Sequence, residues 1–286
     1  MGQRSLRLGV HLSIEGGLDK VIQRAESLGC NCFQIFLRNP RAFKAKVFPA
    51  ADKQRFKRSL RKLGIGPVVV HSVYMQNLAT SKPRLWKLSR NEFLRDIIEA
   101  KDLGAKFMVI HPGSFKGSTR LRGLGQVVKA LDYVLKRSPR GIKVLLENTS
   151  GSGHWLGAEI EELEYMFSEL KNCQNLGLCI DTCHSWCAGY NIRTARGLDD
   201  FIKKIEKYIG KEKIEVIHLN DTQDELGSRR DRHWHIGEGK IGLGGFRNIV
   251  NHKVLREKVF ILETPKKDKD DDPKNLSKIR RIFRVS

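Results

Sequence analysis

What most constrains this chain is a rhythm: eight short runs rich in valine and isoleucine, each followed by a longer segment with helical spacing. Strands are expected at residues 6–11, 32–36, 68–71, 107–111, 144–147, 176–181, 214–219 and 259–263, since these runs are short, β-branched and bounded by turn residues. Helices are expected over 18–28, 52–63, 90–103, 124–136, 159–170, 198–209, 246–250 and 275–283, several stopped by a glycine such as Gly29, Gly64 or Gly104. Eight strand-then-helix units without a linker or low-complexity stretch predict an α/β fold, one (β/α)8 TIM barrel spanning 1–286 as a single domain. A doubly wound open sheet is the alternative.

The residues that end these strands are of one chemical kind. The third strand ends on His71, the fourth on His111, the fifth on Glu147, the sixth on Asp181, the seventh at His218 and the eighth on Glu263. In a barrel they converge on the C-terminal face of the strands. Taken singly, a histidine at a strand end is an ordinary packing residue with a hydrogen bond. Six imidazoles and carboxylates crowded together would desolvate and repel one another unless cations sat among them. The segment 217–239, IHLNDTQDELGSRRDRHWHIGEG, adds Asp231 and His233 in a D-x-H arrangement, a donor mixture suited to a borderline divalent ion such as zinc. On its own that loop reads equally well as a solvated turn.

Composition narrows the partners. Fifty-three lysines and arginines against 32 acidic residues give a formal charge of +21, a field that concentrates polyanions, nucleic acid foremost. The plainer account is that cationic helices keep the protein soluble. There is no apolar run of membrane-spanning length, and the N-terminus MGQRSLRLGV lacks the apolar centre of a secretory signal, so an intracellular (cytoplasmic) protein with no membrane partner is expected. The six cysteines show no C-x-x-C spacing and are expected to be reduced and mostly buried.

The segments LGVHLSIEGGL, VIHPGS, LENTSGSG, IDTCHSWCAGY, HLNDTQDELGSRRDRHWHIGEG and ILETPKK resemble the signature blocks of the endonuclease IV family of apurinic/apyrimidinic (AP) endonucleases, from about Leu8 to Lys267. The resemblance implies a zinc-dependent barrel with three metals per chain: His71, His111 and Glu147 around one; Glu147, Asp181, His218 and Glu263 around a second, with Glu147 bridging the pair; His184, Asp231 and His233 around a third. Manganese is an alternative at part of the sites. It further implies that a metal-bound hydroxide shared by the bridged pair is the nucleophile, so that Glu147 is the catalytic residue through its bridging role. His235 is expected to support His233 or cap a turn, and His11 to line the pocket.

The family's recognition loops follow the second and third strands. By position Arg41 in FLRNPRAF and Tyr74 with Met75 in HSVYMQN match its DNA-insertion residues, although the family more often has a proline between that histidine and tyrosine. An arginine and an aromatic or apolar wedge suit insertion through the minor groove of a duplex weakened by a missing base. Of the basic clusters RNPRAFKAK, KQRFKRSLRK and SRRDR, the first and third are expected to meet phosphates, and the second to be a solvated helix face.

The resulting expectation is a monomeric base-excision-repair hydrolase acting on double-stranded DNA that contains abasic sites, cutting on their 5′ side and also trimming blocked 3′ ends. A sugar isomerase or epimerase on the related barrel plan would need fewer metals and an acid-base pair beside the sugar carbons. A non-catalytic DNA-binding barrel would show salt-sensitive binding without turnover.

Overall fold

The apolar runs become eight parallel strands, β1 (Arg7–Leu12), β2 (Phe33–Phe36), β3 (Val68–His71), β4 (Phe107–Ile110), β5 (Lys143–Glu147), β6 (Leu176–Asp181), β7 (Ile214–Leu219) and β8 (Val259–Leu262). In the computed structural model, which describes residues 6–41, 43, 47–171 and 173–284, each strand pairs with the next and β8 closes on β1. The result is a closed TIM barrel, which excludes the open sheet. Around it lie α1 (Leu18–Ser27), α2 (Ala50–Leu63), α3 (Pro83–Asp102), α4 (Arg120–Leu135), α5 (Ile160–Ser168), α6 (Thr182–Cys187), α7 (Ala195–Tyr208), α8 (Gly242–Asn251) and α9 (Asp271–Ile282). Among the described residues no helix is long and apolar enough to cross a membrane.

Helices α4, α8 and α9 each begin four residues before the expected start, and two further elements depart more from the sequence expectation. Helix α3 begins at Pro83, seven residues before the expected start at 90, because proline is at home in a first turn where its missing N–H has no partner to lose. Helix α6 has no counterpart in the sequence pattern, being too short to show helical periodicity, and it is capped by Asp181, whose side chain accepts from His184 N at 2.8 Å.

Side chains alternate strictly between the two faces of each strand. One buried cluster fills the barrel interior with Cys32, Val69, Phe107, Val109, Leu145, Cys179, Val216, Val259 and Ile261. The alternate positions, among them Val68, Val70, Met108, Ile110, Leu146, Ile217 and Leu262, belong to the larger cluster beneath the helices. Closure also needs a small residue: a Cβ on Gly9 would lie 1.8 Å from the carbonyl oxygen of Cys32, the residue that leads into β2.

Candidate metal centre

Stepping by two from the apolar layer of the barrel interior gives the residues at its mouth. Val69 leads to His71, Val109 to His111, Leu145 to Glu147, Cys179 to Asp181, Val216 to His218 and Ile261 to Glu263. The pleat that fills the interior with apolar groups therefore aims six imidazoles and carboxylates at one point. Three groups come together with ligand atoms within 4.8 Å of one another: His71 with His111 and Glu147; Glu147 with Asp181, His218 and Glu263; and His184 with Asp231 and His233. Cys179 and Cys183 lie close enough to join further such groups.

Glu147 is the hinge of the arrangement. Its Oε2 faces His71 Nε2 at 2.8 Å and His111 Nε2 at 3.0 Å, while its Oε1 faces His218 Nδ1 at 3.1 Å. One carboxylate thus presents a different oxygen to each of two neighbouring donor groups. His218 Nδ1 also lies 3.2 Å from Glu263.

The far side of four of the five rings is already engaged. His71 Nδ1 lies 2.7 Å from the Ser72 carbonyl, His184 Nδ1 2.9 Å from that of Asn148 and His233 Nδ1 3.2 Å from that of Glu263. Carbonyl oxygens can only accept, so these nitrogens carry the proton and leave the Nε2 lone pairs turned inward. His218 is reversed, with Nε2 2.8 Å from Gln34 Oε1 and Nδ1 inward. The Nε2 atoms of His184 and His233 are buried and make no hydrogen bond, although Asp231 Oδ1 stands 3.1 and 3.4 Å away. Buried imidazole nitrogens converging on carboxylates fit a divalent cation, which would take the place of a proton between them.

Electrostatics agree with that fit. Burial opposes ionisation of Glu147, yet the imidazoles of His111 and His218 outweigh it and hold the carboxyl well below its ordinary range. Asp231 and Glu263 are likewise pushed up by burial and pulled lower still by His184 and His218 respectively. Conversely burial lowers His184 and His218, but the carboxylates Asp181 and Asp231 around the first, and Cys179, Glu263 and Glu147 around the second, raise both well above the usual imidazole value. Protons occupy the place that a cation would take.

Several residues that build this centre escaped the sequence reasoning. Gln34, fully buried, bonds Glu263, His11 and His218 at once. Asn220 donates to Asp181 Oδ2 at 2.6 Å and accepts from Glu263 N at 3.0 Å. Asp221 receives five backbone N–H groups, those of Thr222, Gly237, Gly239, Ile241 and Gly242, and so winds the GEGKIG turn around itself. Its backbone pairs with Trp234, which fixes the neighbouring His233. The available signal was a polar residue at an inward position of β2, or immediately after a ligand-bearing strand.

The outer parts of the centre are more open. A cavity of about 740 Å³ is lined by His11, Phe36, Arg38, Tyr74, His233 and Glu263 among others. Tyr74 and Met75 are 60% and 43% exposed beside it, and Arg41 is exposed on the β2 loop. Ala42 and residues 44–46 of RNPRAFKAK lie outside the described residues. In SRRDR, Arg229 pairs with Glu159, while Arg230 and Arg232 share Asp224. Both the β2 and the β3 loop are tied to one buried carboxylate on α3: Asp96 pairs with Arg38 of the first and accepts from Gln76 Nε2 of the second at 2.6 Å. His235 bonds Asn275, a partner that the sequence did not suggest.

Residues 22–284 match the family model described as a xylose isomerase-like TIM barrel. The fold and the donor set at its mouth therefore place the chain in that class of barrels. Within it, the chain is 40% identical to a probable endonuclease 4 of Halothermothrix orenii, over 95% of this chain and 99% of the relative. The crystal structure of endonuclease IV from Thermus thermophilus superposes with a TM-score of 0.85 at 34% identity, covering 96% of this chain and 98% of that one. A D-tagatose 3-epimerase-like protein superposes with a TM-score of 0.72 at 21% identity, covering 96% of each chain, a likeness of fold alone. The chain belongs to the endonuclease IV family and is a nuclease, a phosphodiester hydrolase.

Proposed function

We propose that this nuclease is a zinc-dependent AP endonuclease of base excision repair, which cuts duplex DNA 5′ to an abasic site. Water adds to phosphorus, the bond from phosphorus to the 3′ oxygen breaks, and the products are a 3′-hydroxyl and a 5′-deoxyribose phosphate. The observation that carries this reading is the set of inward imidazole lone pairs, each fixed by a carbonyl-type oxygen on its far side, around a carboxylate that faces two donor groups.

His71, His111 and Glu147 would hold one ion; Glu147, Asp181, His218 and Glu263 a second; His184, Asp231 and His233 a third. Bound there, zinc supplies Lewis acidity to the phosphate and the leaving oxygen and makes water acidic enough to attack near neutral pH. The chain's own residues do the rest. Gln34 and Asn220 hold Glu263 and Asp181 in place, so that the donors need not reorganise. Arg41, Tyr74 and Met75 stand on exposed loops where an intruding side chain would meet the minor groove, and the neighbouring cavity would receive the sugar that has lost its base. In this reading the protein is intracellular and acts as a monomer, with the whole chain as one domain. Trimming of blocked 3′ ends uses the same centre.

The epimerase reading needs neither the third donor group nor a cationic surface. Incision of an end-labelled abasic duplex by the zinc-loaded protein, with analysis of both new ends, tests the proposal. A 3′-hydroxyl opposite a 5′-deoxyribose phosphate is expected; an intact strand, or a 3′-unsaturated aldehyde from β-elimination, would overturn it.

A further inference from the structure

The centre accounts for little of the positive charge. The eight βα connections and tails that frame it, residues 13–17, 37–49, 72–82, 111–119, 148–159, 188–194, 220–241 and 263–270, hold fourteen lysines and arginines against ten acids. Glu147 and Asp181 at the strand ends reduce that surplus further. At the opposite end the seven helix-to-strand connections, 28–32, 64–67, 103–106, 136–142, 169–175, 209–213 and 252–258, are much shorter, yet hold ten lysines and arginines against three glutamates.

Helix dipoles do not account for this surplus. Cations in the last turns of helices, such as Arg61, Lys101, Lys207 and Arg281, complement the negative helix end. They lie within the helices, outside these connections. Some connection cations are engaged locally: Lys136 pairs with Asp132, and Lys211 with Glu206. Others at this end are not. Arg7, Lys106, Arg140, Lys253 and Lys258 make no ion pair among the described residues.

Four of these, Arg7, Lys106, Lys253 and Lys258, line one cavity of about 770 Å³ at the closed end of the barrel, together with Lys211 and with Glu212, Glu215 and Glu257 on its wall. Glu215 is engaged by Lys143. Lys258 is half-buried, and burial lowers its affinity for a proton. An ammonium so placed gains from any anion that approaches the cavity mouth.

We propose that this closed face is a second duplex-binding surface, so that one chain can hold two segments of DNA, one at the metal centre and one at the opposite end of the barrel. It rests on the DNA-directed reading above. A polyanion of regular charge spacing suits cations spread over several short, rigid connections, and a duplex is bound through its phosphates alone. Such a chain passes between duplex segments without first releasing the one it has scanned.

The test uses the full zinc-loaded chain, with donor-labelled and acceptor-labelled intact duplexes, and the combined variant Lys106→Glu, Arg140→Glu, Lys253→Glu. All three positions are exposed and none touches the metal centre. Wild type should bring the two labels together at low salt. The variant should lose that bridging about tenfold or more, with the salt slope of the second binding event shallower by about 0.9 for each phosphate that is no longer neutralised. Its incision of a short abasic duplex should match wild type. If the triple variant does not fold, Lys253→Glu alone carries the same prediction at smaller amplitude. Wild type binding a single duplex per chain, bridging unchanged in the variant, or tighter capture of single-stranded RNA than of duplex DNA would each overturn the proposal. Bridging without any incision would overturn the endonuclease reading and leave the second surface standing.

Discussion

The two ends of the barrel are made of the same eight strands and differ in almost everything else. At the C-terminal end the inward positions His71, His111, Glu147, Asp181, His218 and Glu263 are polar, each lies within 4.0 Å of a group of the opposite kind, and the connections are long. At the N-terminal end the inward positions are Phe107, Val216 and Val259, the connections are short, and lysines stand without an ion-pair partner among the described residues. One end stores its charge inside, as donors facing each other. The other spreads a surplus of one sign over its surface. Net charge therefore says little about where chemistry occurs, and the strand register says a great deal.

Substitutions one layer apart on β5 give the sharpest contrast. Glu147→Gln should lower the rate of abasic-site incision by about a thousandfold or more, on the scale of losing a principal electrostatic group. Leu145→Ala, two residues deeper, should cost about 2–5 kcal/mol of stability and leave the activity of the folded fraction close to wild type. Single-turnover incision and denaturant unfolding of both proteins decide between these outcomes, and equal effects of the two would erase the distinction between the layers.

His184→Ala tests whether the mouth is one centre or several. Metal content should fall by one ion while the Glu147 pair persists, and incision should fall by about a hundredfold. Elemental analysis showing no loss would remove His184 from the donor set.

The loops above the mouth are expected to matter less, and to act on binding. Tyr74→Ala should weaken the preference for abasic over intact duplex about tenfold with metal content unchanged, within the range for one stacked aromatic. Asp96→Asn should do the same from a distance, because it unties Arg38 and Gln76 together. Burial pushes the Asp96 carboxyl up to about 6 despite Arg38 beside it, so in wild type lesion binding should weaken as pH falls through that value. The Asn variant should lack that step, and a retained step would point to another group.

The smallest effect is one of pH on stability. His184 and His218 are raised, so the stability they contribute to the metal-free chain is complete below the ordinary imidazole value and is lost as pH rises through the raised values. Glu147, Glu263 and Asp231 are depressed, and what they contribute is lost only in acid. Zinc competes with the imidazole protons, so the rise in Tm that it produces should be larger by a few degrees at about pH 8.5 than at about pH 6. Calorimetric scans at the two pH values settle the sign.

The barrel is legible in the sequence because its period is coarse: eight β-branched runs, each followed by a segment with a helical stripe, leave few alternatives. Strand ends are legible to within a residue, and the residues ending β3 to β8 meet where that reading places them. What stays hidden depends on contacts between distant segments. Gln34 looks like any polar residue in a strand until closure sets it beside His218 and Glu263. Asp221 gives no sign that N–H groups from a turn sixteen and more residues later will gather on it. Asp96 sits in a helix whose start the apolar spacing does not mark, and its two partners come from different loops.

Cations at the mouth of the barrel are the central claim, and metal stoichiometry measured alongside incision addresses it directly. Three zinc equivalents per chain are expected on the zinc-loaded protein, lost with activity on chelation and regained together when zinc is returned. A chain that cuts abasic duplex at full rate with less than one equivalent of any divalent metal would contradict it.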